Sequence, residues 1–176
     1  MIRALVIGFV LGMLILFGGL YYYFASGMAP AAVADSPMPF EKRIANMALD
    51  AHVQKQAAIQ SPVPADEPSF LAGADVYQRN CQGCHGMPGQ KSELATAMYP
   101  PPPQLFEGKG VSDDPVQETY WKVVNGIRLT GMPAFKSILD DKQCWQVSQL
   151  LAHSTELSGA VQKALATSVS PPLPAK

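Results

Sequence analysis

Cys81-Gln82-Gly83-Cys84-His85 constrains this chain more than any other stretch of it. Two cysteines separated by two residues and followed at once by a histidine have the spacing of covalent c-type haem attachment. Two thioethers would hold the porphyrin while the imidazole takes one axial site of the iron. The spacing has a mechanical reason: one tight helical turn must offer both sulfurs to two vinyl groups and still aim the ring at the metal. Other uses of a Cys-x-x-Cys pair need different neighbours. A redox dithiol expects a βαβ pattern around it, and no strand-forming run flanks Cys81. A structural zinc site wants a second ligand pair, and what remains is Cys144, His52 and His153, scattered singly. One covalently attached haem c is the expected cofactor.

The other axial position is sought among eight methionines. Met132 stands in Gly131-Met132-Pro133-Ala134-Phe135, far enough beyond His85 for the chain to wrap the haem edge and return on its opposite face. Glycine permits unusual dihedrals and proline restricts them, so the pair fixes a non-helical loop that presents the thioether. Met87 and Met98 follow the histidine too closely to cross over easily, and Met1, Met13, Met28, Met38 and Met47 precede it. The plainer reading makes Met132 a flexible side chain filling a core gap, for which a Gly-Met-Pro loop is a poor place. His85 and Met132 are the expected metal ligands.

Local signals point to a small all-α domain of about three to five helices. Ser69 can cap a helix that runs through Tyr77 to the cysteines. Asp114-Pro115-Val116-Gln117 offers an N-cap, a first-turn proline and a capping-box glutamine, with Gly126 closing the helix. Asp140 and Gln143 repeat the box, Leu139 and Cys144 can staple it, and the helix sends Cys144, Trp145, Val147, Leu150 and Leu151 toward the core. Cys144 at such a position reads as an inert buried thiol. His52 and His153 read as partly exposed helix residues.

Cys81-Gln-Gly-Cys-His85 followed by Gly131-Met132-Pro133 resembles the class I monohaem cytochrome c family, especially its short bacterial membrane-anchored or complex-associated members. The resemblance covers about residues 69–158. It implies that Gly73 and Tyr77, on the helix before the motif, pack against the C-terminal helix, and that Pro103 offers its carbonyl to the proximal histidine ring. Such a bond orients a ligating histidine and tunes the metal. The chain departs from many members in carrying Leu150 where they have an aromatic residue. Trp121, Asn125 and Arg128 are further haem-binding candidates, since an indole, an amide or a guanidinium can neutralise propionates. Packing, helix termination and a solvated charge are equal rivals for these three.

Residues 4–25 carry no charge, and at about 1.5 Å per residue a helix there spans roughly 33 Å, enough for a hydrocarbon core of ~30 Å. Tyr21-Tyr22-Tyr23-Phe24 would form an aromatic belt, and Arg3 marks the cytoplasmic end. The expected topology is a single pass in the bacterial cytoplasmic membrane, with the haem domain on the periplasmic side. The alternative is a cleaved signal peptide ending at Ala32-Val33-Ala34, against which the length of the apolar run speaks.

The expected organisation is an anchor at 1–25, a linker at 26–68, the haem domain at 69–158 and a C-terminal tail at 159–176 that adds one weak helix and then ends in disorder at Pro171, Pro172 and Pro174. The linker contains an amphipathic helix at about 40–59, on which Phe40, Ile44, Met47 and Ala51 repeat at helical spacing. Packing on the haem domain, a membrane surface or a partner subunit could cover that face, and packing is the simplest. Residues 61–68 form a second stiff, proline-rich linker.

Thirteen basic and fourteen acidic side chains leave no basic stripe for nucleic acid. The function these features imply is electron transfer rather than catalysis, between redox partner proteins, as a tethered carrier or as a cytochrome subunit of a respiratory or dehydrogenase complex, with no small-molecule substrate. Those partners include integral membrane respiratory or dehydrogenase subunits. A haem enzyme or gas sensor with a labile sixth ligand is the alternative.

Overall fold

Burial sorts the helices of this chain into those that make a core and those that do not. The computed structural model describes residues 1–55, 59–108 and 110–167. Among them the fold is all-helical, with one isolated bridge between Met87 and Gln90 and no strand. The chain divides into two compact units, Met1–Ala45 and Asn46–Lys176.

In the first unit the uncharged run forms α1 (Ile2–Ala25), which buries no residue. It is long and apolar enough to cross a membrane. The next helix, α2 (Glu41–Gln54), begins in the first unit and continues into the second, and is introduced by Glu41, whose carboxylate accepts the Met38 amide at 2.9 Å. It ends earlier than the pattern implies, and residues 56–58 lie outside the described ones. Its apolar stripe is not the face it buries: Phe40, Ile44 and Met47 are exposed, Val53 is buried and Leu49 half-buried.

In the second unit α3 (Glu67–Asn80) is capped three residues before the expected position. Asp66 accepts the Ser69 amide at 3.0 Å, and Pro68 sits in the first turn, where its missing N–H costs nothing. Ser69 is itself buried inside the helix. A single turn, α4 (Gln82–His85), follows at once.

Next comes α5 (Val116–Asn125), closed by Gly126 as its sequence predicts, but without the expected side-chain cap at Asp114. Asp114 instead meets Lys122 Nζ at 3.0 Å, nearly two turns into the helix. The capping box of α6 (Asp141–Ala152) is formed in full by Asp140 and Gln143. The last described helix is α7 (Gly159–Ala166), capped by Ser158.

The core forms where α3, α5, α6 and α7 meet. Gly73 lets α3 cross α6 at close range: a Cβ there would collide with the Gln146 carbonyl and lie 3.0 Å from Leu150 Cβ. Tyr77, one turn on, is fully buried with Val147 and Leu150, and Leu151 is nearly so. Fully burying such side chains is worth about 1.5–3 kcal/mol each. On the other side of α6, Trp145 stacks on Tyr120 of α5 with ring centroids 3.7 Å apart.

The segment read as a tail begins with α7, which buries Val161 and Leu165 completely. Gln78 of α3 donates to the carbonyls of Ala164 and Thr167, each at 2.8 Å, and so satisfies the end of α7. Pro171, Pro172 and Pro174 lie outside the described residues. Part of the second linker is also fixed, because Gln149 of α6 donates to Ser61 Oγ at 3.0 Å and to the Val63 carbonyl at 2.9 Å.

Candidate haem-attachment site

The site is built where α3 stops and a single turn takes over. The Cys81 amide still donates to Tyr77 at 2.8 Å, as the end of α3. The Cys81 carbonyl then accepts from both Cys84 and His85, at 3.1 and 2.9 Å. Residues three apart on a helical turn share a side, so this turn brings the two thiols together with the imidazole next to them. Cys81, Cys84 and Cys144 are all free thiols. Burial, with Cys84 adding to it, pushes the Cys81 thiol up to about 12, and burial with Asp141 beside it lifts buried Cys144 to about 11.

The turn is locked from both sides. Gly86 has φ +77, and a Cβ there would collide with the Gln90 carbonyl, so the chain leaves the motif through a position that only glycine fills easily. The Tyr77 hydroxyl donates to the Gly86 carbonyl at 2.7 Å, tying the helix before the motif to the residue after it. Burial, with Cys81 nearby, holds the phenol protonated far above its ordinary range. Ser92 donates to the Gly83 carbonyl at 2.5 Å, and Gln104 Nε2 spans the Met87 and Gln90 carbonyls at 3.2 and 3.0 Å.

His85 Nδ1 lies 2.7 Å from the Pro103 carbonyl oxygen. A carbonyl only accepts, so Nδ1 carries the proton and Nε2 is left with its lone pair. Burial lowers the histidine pKa and outweighs the opposing bond to Pro103. The ring is therefore neutral, the form that binds a metal. A pocket beside it is lined by His85, Lys91, Ser92, Pro102, Gln104 and Glu107, among others. Met132 does not line that pocket.

Met132 sits in a separate loop after α5 and is half-buried against the core. Its carbonyl accepts the Ile127 amide at 3.3 Å, and its amide donates to Thr130 Oγ1 at 3.1 Å. Gly126, with φ +67, lets this loop pass directly over the end of α5: a Cβ there would lie 2.7–2.8 Å from backbone atoms of residues 132–134. The methyl of Met98 occupies the space where a Gly131 Cβ would go.

Sequence reasoning set Met98 aside, yet the fold brings its thioether to the Met132 loop. Its nearness in sequence to His85 gave no hint of this. Tyr77 was read for packing alone, and no sequence signal announced its bond to Gly86 or the part played by Gln104.

The other candidates have these neighbours. Trp121 is half-buried with its ring 5.2 Å from that of His52. Asn125 donates its amide to the Trp121 carbonyl at 3.0 Å, and Arg128 stands exposed. His153 caps α6, with Nδ1 2.9 Å from the Gln149 carbonyl and its ring against Phe70.

Among the described residues no three His, Cys, Asp or Glu side chains converge as a metal site. A bare ion would need about four protein ligands. A macrocycle brings four nitrogens of its own and asks the protein for one or two axial donors and, when covalent, two thiols. The donor set of residues 81–85 fits haem c on that chemistry.

A family model described as cytochrome c oxidase, cbb3-type, subunit III matches residues 68–151. The chain resembles a cytochrome-complex subunit. The match runs from the first turn of α3 to the last turn of α6, just under half of the chain, and includes Cys81, Cys84, His85, Pro103 and Met132. No curated protein and no solved structure matches the chain.

Proposed function

We propose that this protein is a membrane-anchored electron-transfer cytochrome, with one haem c attached through Cys81 and Cys84 and ligated axially by His85 and Met132. The observation that carries the reading is the one-turn helix in which both thiols and a neutral, Pro103-bonded histidine are fixed together. Bound haem would supply a one-electron iron couple. The residues of the chain do the rest. Cys81 and Cys84 hold the group, and Pro103 fixes the tautomer and aim of His85. Gly126 and Thr130 hold the loop from which Met132 would offer its thioether to the iron. Two strong-field axial ligands leave no open site for substrate, and a His/Met pair raises the potential.

α1 anchors the chain, with Arg3 on the cytoplasmic side and the haem domain on the periplasmic side. Similarity to subunit III of a cbb3-type oxidase supports partners within a membrane respiratory complex, to which this chain passes single electrons.

Absorption spectra of the purified protein test the ligand set. The ferrous protein is expected to be low-spin and indifferent to carbon monoxide, and Met132→Ala to bind it. A wild type that binds carbon monoxide readily would favour a haem enzyme or gas sensor instead. An unchanged Met132→Ala spectrum would remove Met132 from the iron.

A further inference from the structure

The apolar stripe of α2 and the face on which α2 packs point in opposite directions. At about 100° per residue, Ile44, Met47 and Ala51 fall within an arc of about 60°, while Leu49 and Val53 lie on the far side of the helix. The structure follows that division. Val53 is 2 % exposed and Leu49 half-buried, and His52, next to Val53, meets the Trp121 ring. Ile44 and Met47 are 64 % and 62 % exposed. Phe40, whose carbonyl accepts the Ile44 amide at 2.9 Å, extends the stripe in a left-handed conformation (φ 64) and is 70 % exposed. A bulky residue in that region is strained. The helix thus packs through Leu49 and Val53 and leaves Ile44, Met47 and Ala51 uncovered.

What lies within reach of that stripe is set by the chain. Residues 26–39 separate it from the end of α1, a connection of at most roughly 50 Å when fully extended. Asp35 shortens it further by turning the chain back, accepting the amides of Ala31 and Ala32 at 2.8 Å each. A tether of this length holds a segment at high effective concentration next to whatever its anchor occupies. Arg43, exposed at the border of the stripe, matches the phosphates of a lipid headgroup layer.

We propose that the exposed stripe Phe40, Ile44, Met47 and Ala51 rests on the outer surface of the bilayer that α1 spans, with Leu49 and Val53 turned away from the lipid. Amphipathic helices of this kind lie in the interface with their apolar face sunk among the headgroups. The helix then limits how far the domain stands from the membrane. This rests on the anchor reading of α1 and is independent of the axial ligands.

The test uses the full chain reconstituted in vesicles of phosphatidylcholine and phosphatidylglycerol, with a nitroxide on Ile44→Cys or, on the packing side, on exposed Lys42→Cys. The label at 44 is expected to be open to oxygen and shielded from a water-soluble nickel chelate, and the label at 42 to show the reverse. Equal access at the two sites would overturn the proposal, with the anchor intact if the protein survives an alkaline wash of the vesicles. Loss of the protein in that wash would overturn the anchor and the proposal together. A label at 44 that is open to nickel in these vesicles, and shielded only in native membranes, would assign the stripe to a protein partner and likewise overturn it.

Discussion

Helix α6 buries its apolar stripe so completely that Val147 and Leu150 lose all exposure, whereas α2 leaves Ile44 64 % and Met47 62 % exposed. Both helices show apolar residues at helical spacing, and both begin with a carboxylate that accepts a backbone amide. They differ in what crosses them. α6 meets α3 through the gap left by Gly73, meets α5 through the Tyr120–Trp145 stack, and holds residues 61–63 through Gln149. α2 offers its neighbours Leu49, His52 and Val53. A periodic stripe therefore marks a face that gains from being covered, and the neighbours decide which face is covered and by what.

Mutations can break this contrast, and the largest effect is expected in α6. Leu150→Ala should cost about 3 kcal/mol, from lost transfer energy and the cavity left behind, read as a lower urea midpoint. A cost under about 1 kcal/mol would mean that the α3–α6 contact is not the centre of the core. Gly73→Ala should follow at about 1–3 kcal/mol, because the new Cβ forces the two helices apart. Asp140→Ala removes one half of the capping box and should cost about 1 kcal/mol, with Asp140→Asn restoring most of it. Ile44→Ser in detergent should change stability by less than about 0.5 kcal/mol, as for an exposed side chain. A larger loss there would show that α2 packs its stripe after all and would erase the difference between the two helices.

How far the molecule could be read from its sequence follows the same line. Short-range chemistry was legible: the capping box of Asp140 and Gln143, the closing Gly126 and the inward face of α6; the close approach at Gly73 was implied only by the family resemblance. Where two local rules competed, the reading slipped. Ser69 has the right type for a cap, but Asp66 followed by Glu67 and Pro68 makes the better one. Asp114 could cap α5, but Lys122, eight residues on, draws its carboxylate into an ion pair.

Long-range choices were not legible. Nothing around Val161 and Leu165 distinguishes a weak terminal helix from one that completes the core, because the partner that satisfies α7 is Gln78, far back in the chain. The same holds at the candidate site. The residues of the motif were plain, whereas the Tyr77–Gly86 bond and the position of Met98 over Gly131 depend on chain paths that only the fold supplies.

The central claim is that Cys81 and Cys84 hold a haem covalently beside His85, and the mass of the denatured full-length chain tests it most directly. The account predicts an increase by the mass of one haem that survives denaturation and acid extraction, and that is lost when Cys81 and Cys84 are both replaced by alanine. A wild-type chain from a cell competent for c-type haem attachment that runs at its bare polypeptide mass would contradict it.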